Sequence, residues 1–218
     1  MKLDVGKVRE DLGSYLFDVY GFPGVPKRVA FVSHEHLDHV PIVMDLAAHR
    51  DVTVYSSKEV FRILEKKLRY WSNLKPLDLK LMETFMLYRL NVKFRFDDVT
   101  MIRAEHVHSD AFFIFHHGKV LFLSEASGSY IRRYIKDLTE EFQPEYVVMS
   151  IPSYVHKIYP EDVEFVKGFC ENVVLTAPFL KNPMLSQDVT RRFRLLLPKG
   201  CLVLPKVLRS YLDVFPLL

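Results

Sequence analysis

The sequence predicts an α/β fold in which sheets are covered by helices. Short runs rich in Val, Ile, Phe and Tyr recur along the 218 residues, and such runs are typical of strands. Helical patterns lie between them, and the turn-forming pair Asp97-Asp98 joins two runs in the manner of an antiparallel pair. Because no repeat, low-complexity tract or linker interrupts this alternation, we expect residues 1–218 to form a single domain.

Each predicted element follows from a local pattern. Residues 92–96 alternate apolar and basic side chains, which is typical of a strand with one solvated face. Several helical segments begin with Ser or Pro and soon contain an acidic residue. The strands are predicted at residues 15–19, 29–33, 52–55, 92–96, 99–102, 112–115, 120–123, 146–151, 173–176 and 201–204. The helices are predicted at residues 41–50, 57–70, 77–90, 130–142, 160–170 and 186–197.

Composition excludes several classes of protein. The chain is 49% hydrophobic and 26% charged, with 8 Gly and 12 Pro, which argues against disorder, collagen-like repeats and a small disulfide scaffold. Cys170 and Cys201 lie in apolar surroundings and predict buried free thiols in a reducing compartment. No apolar run is long enough to span a bilayer, and the charged start lacks the apolar core of a signal peptide. We therefore expect a cytoplasmic protein without membrane association.

Three of the nine histidines fall within residues 34–39, directly after an apolar strand. His34 and His36 are two residues apart and point the same way from an extended segment, whereas Asp38 and His39 begin the next turn and aim at a neighbouring point. Imidazole and carboxylate ligands favour zinc and also suit manganese or iron. The pattern predicts one or two divalent metal ions and disfavours a polar loop with histidines clustered by chance.

The segment Ser33-His34-Glu35-His36-Leu37-Asp38-His39 resembles the metal-binding signature of the metallo-β-lactamase superfamily. The resemblance implies a four-layer αββα sandwich and metal-activated water used for hydrolysis. An opening strand that ends in a carboxylate (residues 13–18) and a later His-containing segment (residues 106–110) occur in the matching order. In the family, a His of this later segment completes the first metal site, and we expect that ligand to be His108 rather than His106.

Two positions depart from the family pattern. Glu125 stands where the family has a bridging Asp, and a Glu is one methylene longer but still able to reach two ions. Residues 173–178 contain no His to close the second metal site. His156 either replaces that ligand, hydrogen-bonds a substrate, or is an ordinary loop histidine. We therefore expect a weaker second site, with Asp38 and His36 as catalytic residues and Asp38 orienting the attacking water.

The distribution of basic residues suggests the substrate. Residues 181–210 contain seven basic side chains and one acid, and residues 66–71 form a second basic and aromatic cluster. Such patterns suit phosphate neutralisation and base stacking, so we expect a phosphodiesterase or nuclease that contacts nucleic acid or a nucleotide through Arg191, Arg192 and Arg194. The net charge of +3 permits this partner without requiring it. A noncatalytic, metal-stabilised module that binds nucleic acid or protein, and an ester, lactone or amide hydrolase, are the alternatives.

Overall fold

The computed structural model describes residues 4–18, 29–34, 36, 39, 53–57, 74–77, 89–109, 112–176 and 201–204. Within these residues the helices are α1 (Val5–Leu12), α2 (Gly128–Phe142) and α3 (Pro160–Lys167). The strands are β1 (Tyr15–Phe17), β2 (Val29–Phe31), β3 (Thr53–Ser57), β4 (Leu74–Leu77), β5 (Lys93–Phe96), β6 (Val99–Arg103), β7 (Phe113–His117), β8 (Val120–Ser124), β9 (Tyr146–Ser150), β10 (Val173–Thr176) and β11 (Leu202–Leu204).

The described strands form two sheets. Strands β1 to β4 pair in chain order as a parallel four-stranded sheet. The second sheet has seven strands in the order β11-β10-β9-β8-β7-β6-β5. Its β8 to β11 half is parallel, as expected of strand and helix alternation, and its β5 to β8 half is antiparallel. The antiparallel pairing predicted around Asp97-Asp98 is confirmed.

Alternating side chains of the seven-stranded sheet pack on two sides. On one face, the ring centroid of Phe115 lies 5.2 Å from that of Phe31, and Phe122 lies 4.9 Å from Phe17, so the two sheets contact through aromatic residues. The opposite face, with residues such as Leu121, shares a second apolar cluster with α2 and α3. The prediction of an α/β fold with helix-covered sheets is confirmed for this sheet. The helices predicted at 41–50 and 57–70 lie, apart from Ser57, outside the described residues.

Helix α2 follows the sequence pattern closely. The predicted 130–142 segment is observed as Gly128–Phe142, since Ser127 caps the helix by accepting a hydrogen bond from the Tyr130 amide at 3.2 Å. The predicted helix 160–170 begins at Pro160 and ends earlier, at Lys167. None of the described helices is both long and apolar enough to cross a bilayer.

Other predicted elements need correction. Ser57 and Leu77, predicted to begin helices, end strands β3 and β4. Strand β4 contains Pro76, which is unfavourable within strands, and it was not predicted from the sequence. Helix α1 was also not predicted, although Asp4 caps it by accepting a hydrogen bond from the Gly6 amide at 2.8 Å. The predicted helices at 41–50 and 186–197 and most of those at 57–70 and 77–90 lie outside the described residues.

Two strands end in left-handed residues at the same point of the molecule. Asp18 directly follows β1 with φ 52°, and Ser124 ends β8 with φ 49°, where the pairing of β8 with β9 shifts register. Non-glycine residues rarely adopt this conformation. The Ser124 hydroxyl donates to Asp18 Oδ2 at 2.7 Å and so joins the two sheets where both strands end. The chain turns here, immediately before Glu125.

The loop after β9 is tied to the start of α2. Main-chain hydrogen bonds of 2.8 and 3.1 Å between Ser153 and Ile158 close this loop, which contains His156. The Lys157 carbonyl accepts a hydrogen bond from the Gly128 amide at 3.1 Å. A Cβ on Gly128 would lie 2.7 Å from that carbonyl oxygen and 2.5 Å from the Asp162 carboxylate, so only glycine allows this approach.

Gly128→Ala should lower the free energy of unfolding by about 1–3 kcal/mol, because the new methyl must displace a main-chain carbonyl and a buried carboxylate. Urea denaturation in EDTA measures this change without a metal contribution. Asp137→Ala, on the exposed face of the same helix, is the control and should change stability by less than about 0.5 kcal/mol. Equal stability of wild type and Gly128→Ala would contradict this close packing.

Candidate metal centre

Three histidines from two loops converge at the ends of the strands. His34 follows β2 closely and is buried, His36 is half-buried, and buried His106 follows β6. The centroid of the His34 ring lies 4.3 Å from the centroid of the His36 ring and 4.6 Å from that of the His106 ring. One nitrogen of each ring lies within 4.8 Å of one nitrogen of the other two. This spacing suits ligation of a common ion.

Hydrogen bonds orient the first two rings. The Nδ1 atom of His34 lies 2.8 Å from the Ser33 hydroxyl, and His36 Nε2 lies 3.1 Å from the His108 carbonyl oxygen, which only an N–H can satisfy. The remaining nitrogens, His34 Nε2 and His36 Nδ1, face each other at 2.9 Å. When His34 donates from Nδ1 to Ser33, both facing nitrogens carry lone pairs, an arrangement that a cation satisfies.

His106 is held differently. Its Nδ1 accepts a hydrogen bond from the His108 amide at 3.0 Å, which places the ring proton on Nε2, 3.4 Å from Glu125 Oε2. The ring stacks on buried Phe112 at 5.1 Å between centroids. For His106 to ligate through Nε2, the ring proton must move to Nδ1 and the His108 amide must release its hydrogen bond.

His39 lies between two buried carboxylates. Its Nδ1 is 3.1 Å from Asp18 Oδ2, and its Nε2 is 3.5 Å from Glu125 Oε2. A carboxylate that accepts from one ring nitrogen orients the other nitrogen toward a metal. Asp18 also accepts hydrogen bonds from the Ser33 amide at 2.8 Å and from the Ser33 and Ser124 hydroxyls. The position of His39 is therefore fixed by the ends of β1, β2 and β8.

Glu125 is the point at which the histidines meet. One carboxylate oxygen lies 3.4 Å from His106 Nε2 and 3.5 Å from His39 Nε2, and the other lies 3.5 Å from His156 Nε2. The groups His34–His39–Glu125 and His106–Glu125–His156 therefore also have the spacing of a metal site. A carboxylate shared by both groups has the geometry of a bridging ligand.

Burial and charge set the ionisation of the cluster. Burial, together with the nearby charge of His39, holds the pKa of His34 far below its ordinary range, so the ring stays neutral. Burial alone would lower the pKa of His39, but the Asp18 and Glu125 carboxylates raise it well above its usual value. Burial would raise the pKa of Glu125, but His39 and the hydrogen-bonding histidines hold it well below its usual value. In the metal-free chain a proton on His39 therefore balances the carboxylates.

The residues present fit one or two divalent cations. Neutral imidazoles and ionised carboxylates are metal ligands without further proton loss, and His34 and His36 already aim lone pairs at one point. His156 adds a nitrogen to the Glu125 side of the cluster, and burial lowers the pKa of this histidine. The donor set of imidazole nitrogens and carboxylate oxygens suits zinc, manganese or iron.

Of the two candidates for the third ligand, the geometry brings His106 rather than the expected His108 beside His34 and His36. His108 is exposed, and it serves the cluster through its main-chain amide and carbonyl, whereas the neighbouring His106 turns its ring inward. An antiparallel bridge between His106 and Ser109 makes a tight turn there, so the two side chains do not follow the alternation of a strand. Asp38 and the basic residues Arg191, Arg192 and Arg194 lie outside the described residues.

Polar contacts beside the cluster were not identified from the sequence. Glu105 precedes His106 and accepts hydrogen bonds of 2.6 Å from the Ser127 and Ser129 hydroxyls at the start of α2. These hydrogen bonds lower the pKa of the Glu105 carboxyl. They join the loop of His106 to the segment that follows Glu125. The sequence contained a signal for this contact, since Ser127 and Ser129 directly precede the helix predicted at 130–142.

Comparison with known proteins gives remote structural likenesses. Neither a family model nor a curated protein matches the chain. A metallo-β-lactamase from Hirschia baltica aligns at 15% identity and a TM-score of 0.37, over 57% of this chain and 60% of that one. A novel metallo hydrolase from the hyperthermophilic archaeon Ignicoccus hospitalis KIN4/I aligns at 13% identity and a TM-score of 0.49, over 83% of this chain and 77% of that one. The chain thus spans less than two thirds of the first protein.

In EDTA, the free energy of unfolding should be highest near pH 6.5. Below that pH the unfolded chain protonates its histidines while folded His34 stays neutral, so stability falls as the pH falls. Above it, folded His39 keeps a proton that the unfolded chain loses, so stability falls as the pH rises, by about 1 kcal/mol at pH 8. Urea denaturation from pH 5.5 to 8 measures both limbs. His39→Gln should flatten the alkaline limb while the acid limb persists, since burial is the main cause of the lowered pKa of His34, and an unchanged alkaline limb would refute the assignment.

His106→Ala should weaken zinc binding by at least about tenfold, because it removes a ring nitrogen from the cluster. His108→Ala is the matched control, since the hydrogen bonds of His108 with His36 and His106 come from its main chain. Competition with a chromophoric chelator measures both affinities, and circular dichroism confirms folding. Greater loss in His108→Ala than in His106→Ala would return the ligand role to His108.

Proposed function

We propose that the chain is a metal-dependent hydrolase of the αββα sandwich architecture that cleaves a phosphodiester with an activated water. One observation carries the hydrolase proposal: His34, His39, His106 and His156 lie around Glu125 where strands of both sheets end, and His36 joins them through His34 and His106. A structural ion is usually enclosed by about four protein ligands. Overlapping ligand groups, as in this cluster, instead leave coordination positions for water and substrate.

The side chains have distinct roles in this proposal. His34, His36 and His106 would hold one ion, and His39, His156 and Asp38 a second, with Glu125 shared between them. A divalent cation there lowers the pKa of water toward about 7 and neutralises charge on the attacked group. Asp18 keeps a proton on His39 Nδ1 and leaves Nε2 facing the centre. Asp38 orients the attacking water, and His36 is held in place by the His108 carbonyl.

Glu125 and His156 together offer an answer to the two departures from the family pattern. The longer Glu125 side chain reaches both His39 and His156, which lie on different elements. His156 comes from the closed loop after β9 and supplies the nitrogen that residues 173–178 lack. We propose zinc as the ion, because imidazole nitrogens dominate the donor set, with manganese or iron as the alternatives.

Basic side chains support the choice of a phosphodiester. Lys157 is exposed directly beside His156, and Arg132 is half-exposed on α2. Arg191, Arg192 and Arg194 add cations to the sequence, and we propose that they contact the phosphates of a nucleic acid or nucleotide.

Cys170 and Cys201 are free thiols, which supports a reducing compartment and our proposal that the protein acts in the cytoplasm.

Hydrolysis of bis(4-nitrophenyl) phosphate tests the proposal. The purified chain should cleave it with added Zn²⁺ or Mn²⁺ and lose activity in EDTA, since the ions supply the Lewis acid. His36→Ala and Asp38→Ala should lower kcat/KM by roughly a hundredfold or more, because water would no longer be bound and oriented. His117→Ala, at a surface pair with Asp98, is the control and should retain activity.

The alternative functions give different outcomes in the same assay. Cleavage of 4-nitrophenyl acetate or a lactone without cleavage of the phosphodiester would identify an ester or lactone hydrolase. A noncatalytic module would bind metal but turn over no substrate. It would bind an oligonucleotide with an affinity that weakens with salt and on neutralising Arg191, Arg192 and Arg194. Absence of bound metal after incubation with Zn²⁺ would overturn the metal-dependent proposal itself.

A further inference from the structure

A second concave site lies apart from the histidine cluster. It is a cavity of about 530 Å³ between helix α2 and the residues that precede β5, within the roughly 300–1,000 Å³ typical of small-molecule sites. No residue of the histidine cluster contributes to its lining. The lining residues are Arg89, Leu90, Asn91, Val92, Arg133 and Tyr134.

The cavity is positively charged and has an aromatic wall. The exposed Arg133 guanidinium lies 5.9 Å from the centroid of the Tyr134 ring, and exposed Arg89 also lines the cavity. Adjacent Arg132 is engaged by Asp162, whereas Arg133 has no carboxylate within salt-bridge distance among the described residues. Two guanidinium groups that line one cavity favour a phosphate, which they bind in a bidentate manner.

Asn91 adds a buried acceptor. Its Oδ1 atom is shielded from solvent and has no hydrogen-bond partner in the described part of the chain, although buried polar atoms are normally paired. The residue itself is held firmly, with φ 62° and an amide that donates to the Arg103 carbonyl at 2.8 Å. An unpaired, fixed acceptor in the wall of a cavity requires a donor, which an exocyclic amino group or a hydroxyl of a ligand supplies.

We infer that this cavity binds a nucleoside phosphate. Arg89 and Arg133 would hold the phosphate, the Tyr134 ring would contact the base, and Asn91 Oδ1 would accept from an amino or hydroxyl group. The ligand is either a free nucleotide or one unit of a single strand. Asn91 pairs with Arg103, three residues before His106 along the chain, and we propose that a bound strand continues from the cavity toward the histidine cluster. Only this last role rests on the proposed function.

Calorimetric titration of AMP into the chain in EDTA tests the inference without any metal. Saturable binding should occur and should weaken at least about fivefold in Arg89→Gln and in Arg133→Gln, because each removes a charged hydrogen bond to phosphate. Lys136→Gln is the matched control, since it removes one positive charge from an exposed position of the same helix. Adenosine and inorganic phosphate should each bind more weakly than AMP, because each uses only part of the cavity.

A short single-stranded oligonucleotide distinguishes the two sources of the ligand. A strand unit is supported when the oligonucleotide binds at least tenfold more tightly than AMP and loses affinity in Arg133→Gln. A free nucleotide is supported when AMP binds as tightly as the oligonucleotide or more tightly. Absence of AMP binding up to about 5 mM, or equal weakening in Lys136→Gln and Arg133→Gln, would overturn the inference. AMP binding in EDTA does not depend on the metal, so AMP binding by a chain that shows no hydrolytic activity with added Zn²⁺ or Mn²⁺ would overturn the proposed function alone.

Discussion

The buried carboxylate of Asp18 is the contact on which the histidine cluster depends. It accepts hydrogen bonds from the Ser33 amide and from the Ser124 hydroxyl, and it pairs with His39. These partners belong to the ends of β2 and β8 and to the metal-binding loop, so one side chain aligns both sheets with the cluster. A buried acceptor with several donors also stabilises these ends, since each donor would cost about 1–3 kcal/mol if left unpaired.

The cluster also balances buried charge in two alternative ways. Without metal, the proton on His39 compensates the Asp18 and Glu125 carboxylates, as the raised pKa of this histidine indicates. With a cation beside Glu125, that compensation comes from the ion, and the proton on the inward nitrogen of His39 must leave. Metal uptake is therefore coupled to proton release and weakens as the pH falls. Glu125 serves both states because it contacts histidines from three separate segments.

Sequence patterns predicted the regular elements well where packing and propensity agree. Strand β10 and helix α2 were placed within two residues, and the clustered histidines His34 and His39 come from one short motif. The sequence pattern favoured His108 over His106, whereas a tight turn after β6 points the His106 ring inward. Strand β4 was missed since proline normally excludes a strand, and pairing with β3 overrides that preference.

The left-handed conformations of Asp18 and Ser124 have a consequence for the evolution of the fold. Glycine adopts the left-handed conformation of either position without steric cost, so selection for higher thermal stability would favour glycine there. Each side chain, however, supplies half of the hydrogen bond that joins β1 to β8. Selection for the histidine cluster therefore opposes selection for a relaxed main chain, and these two positions limit how far the fold can be stabilised without loss of the site.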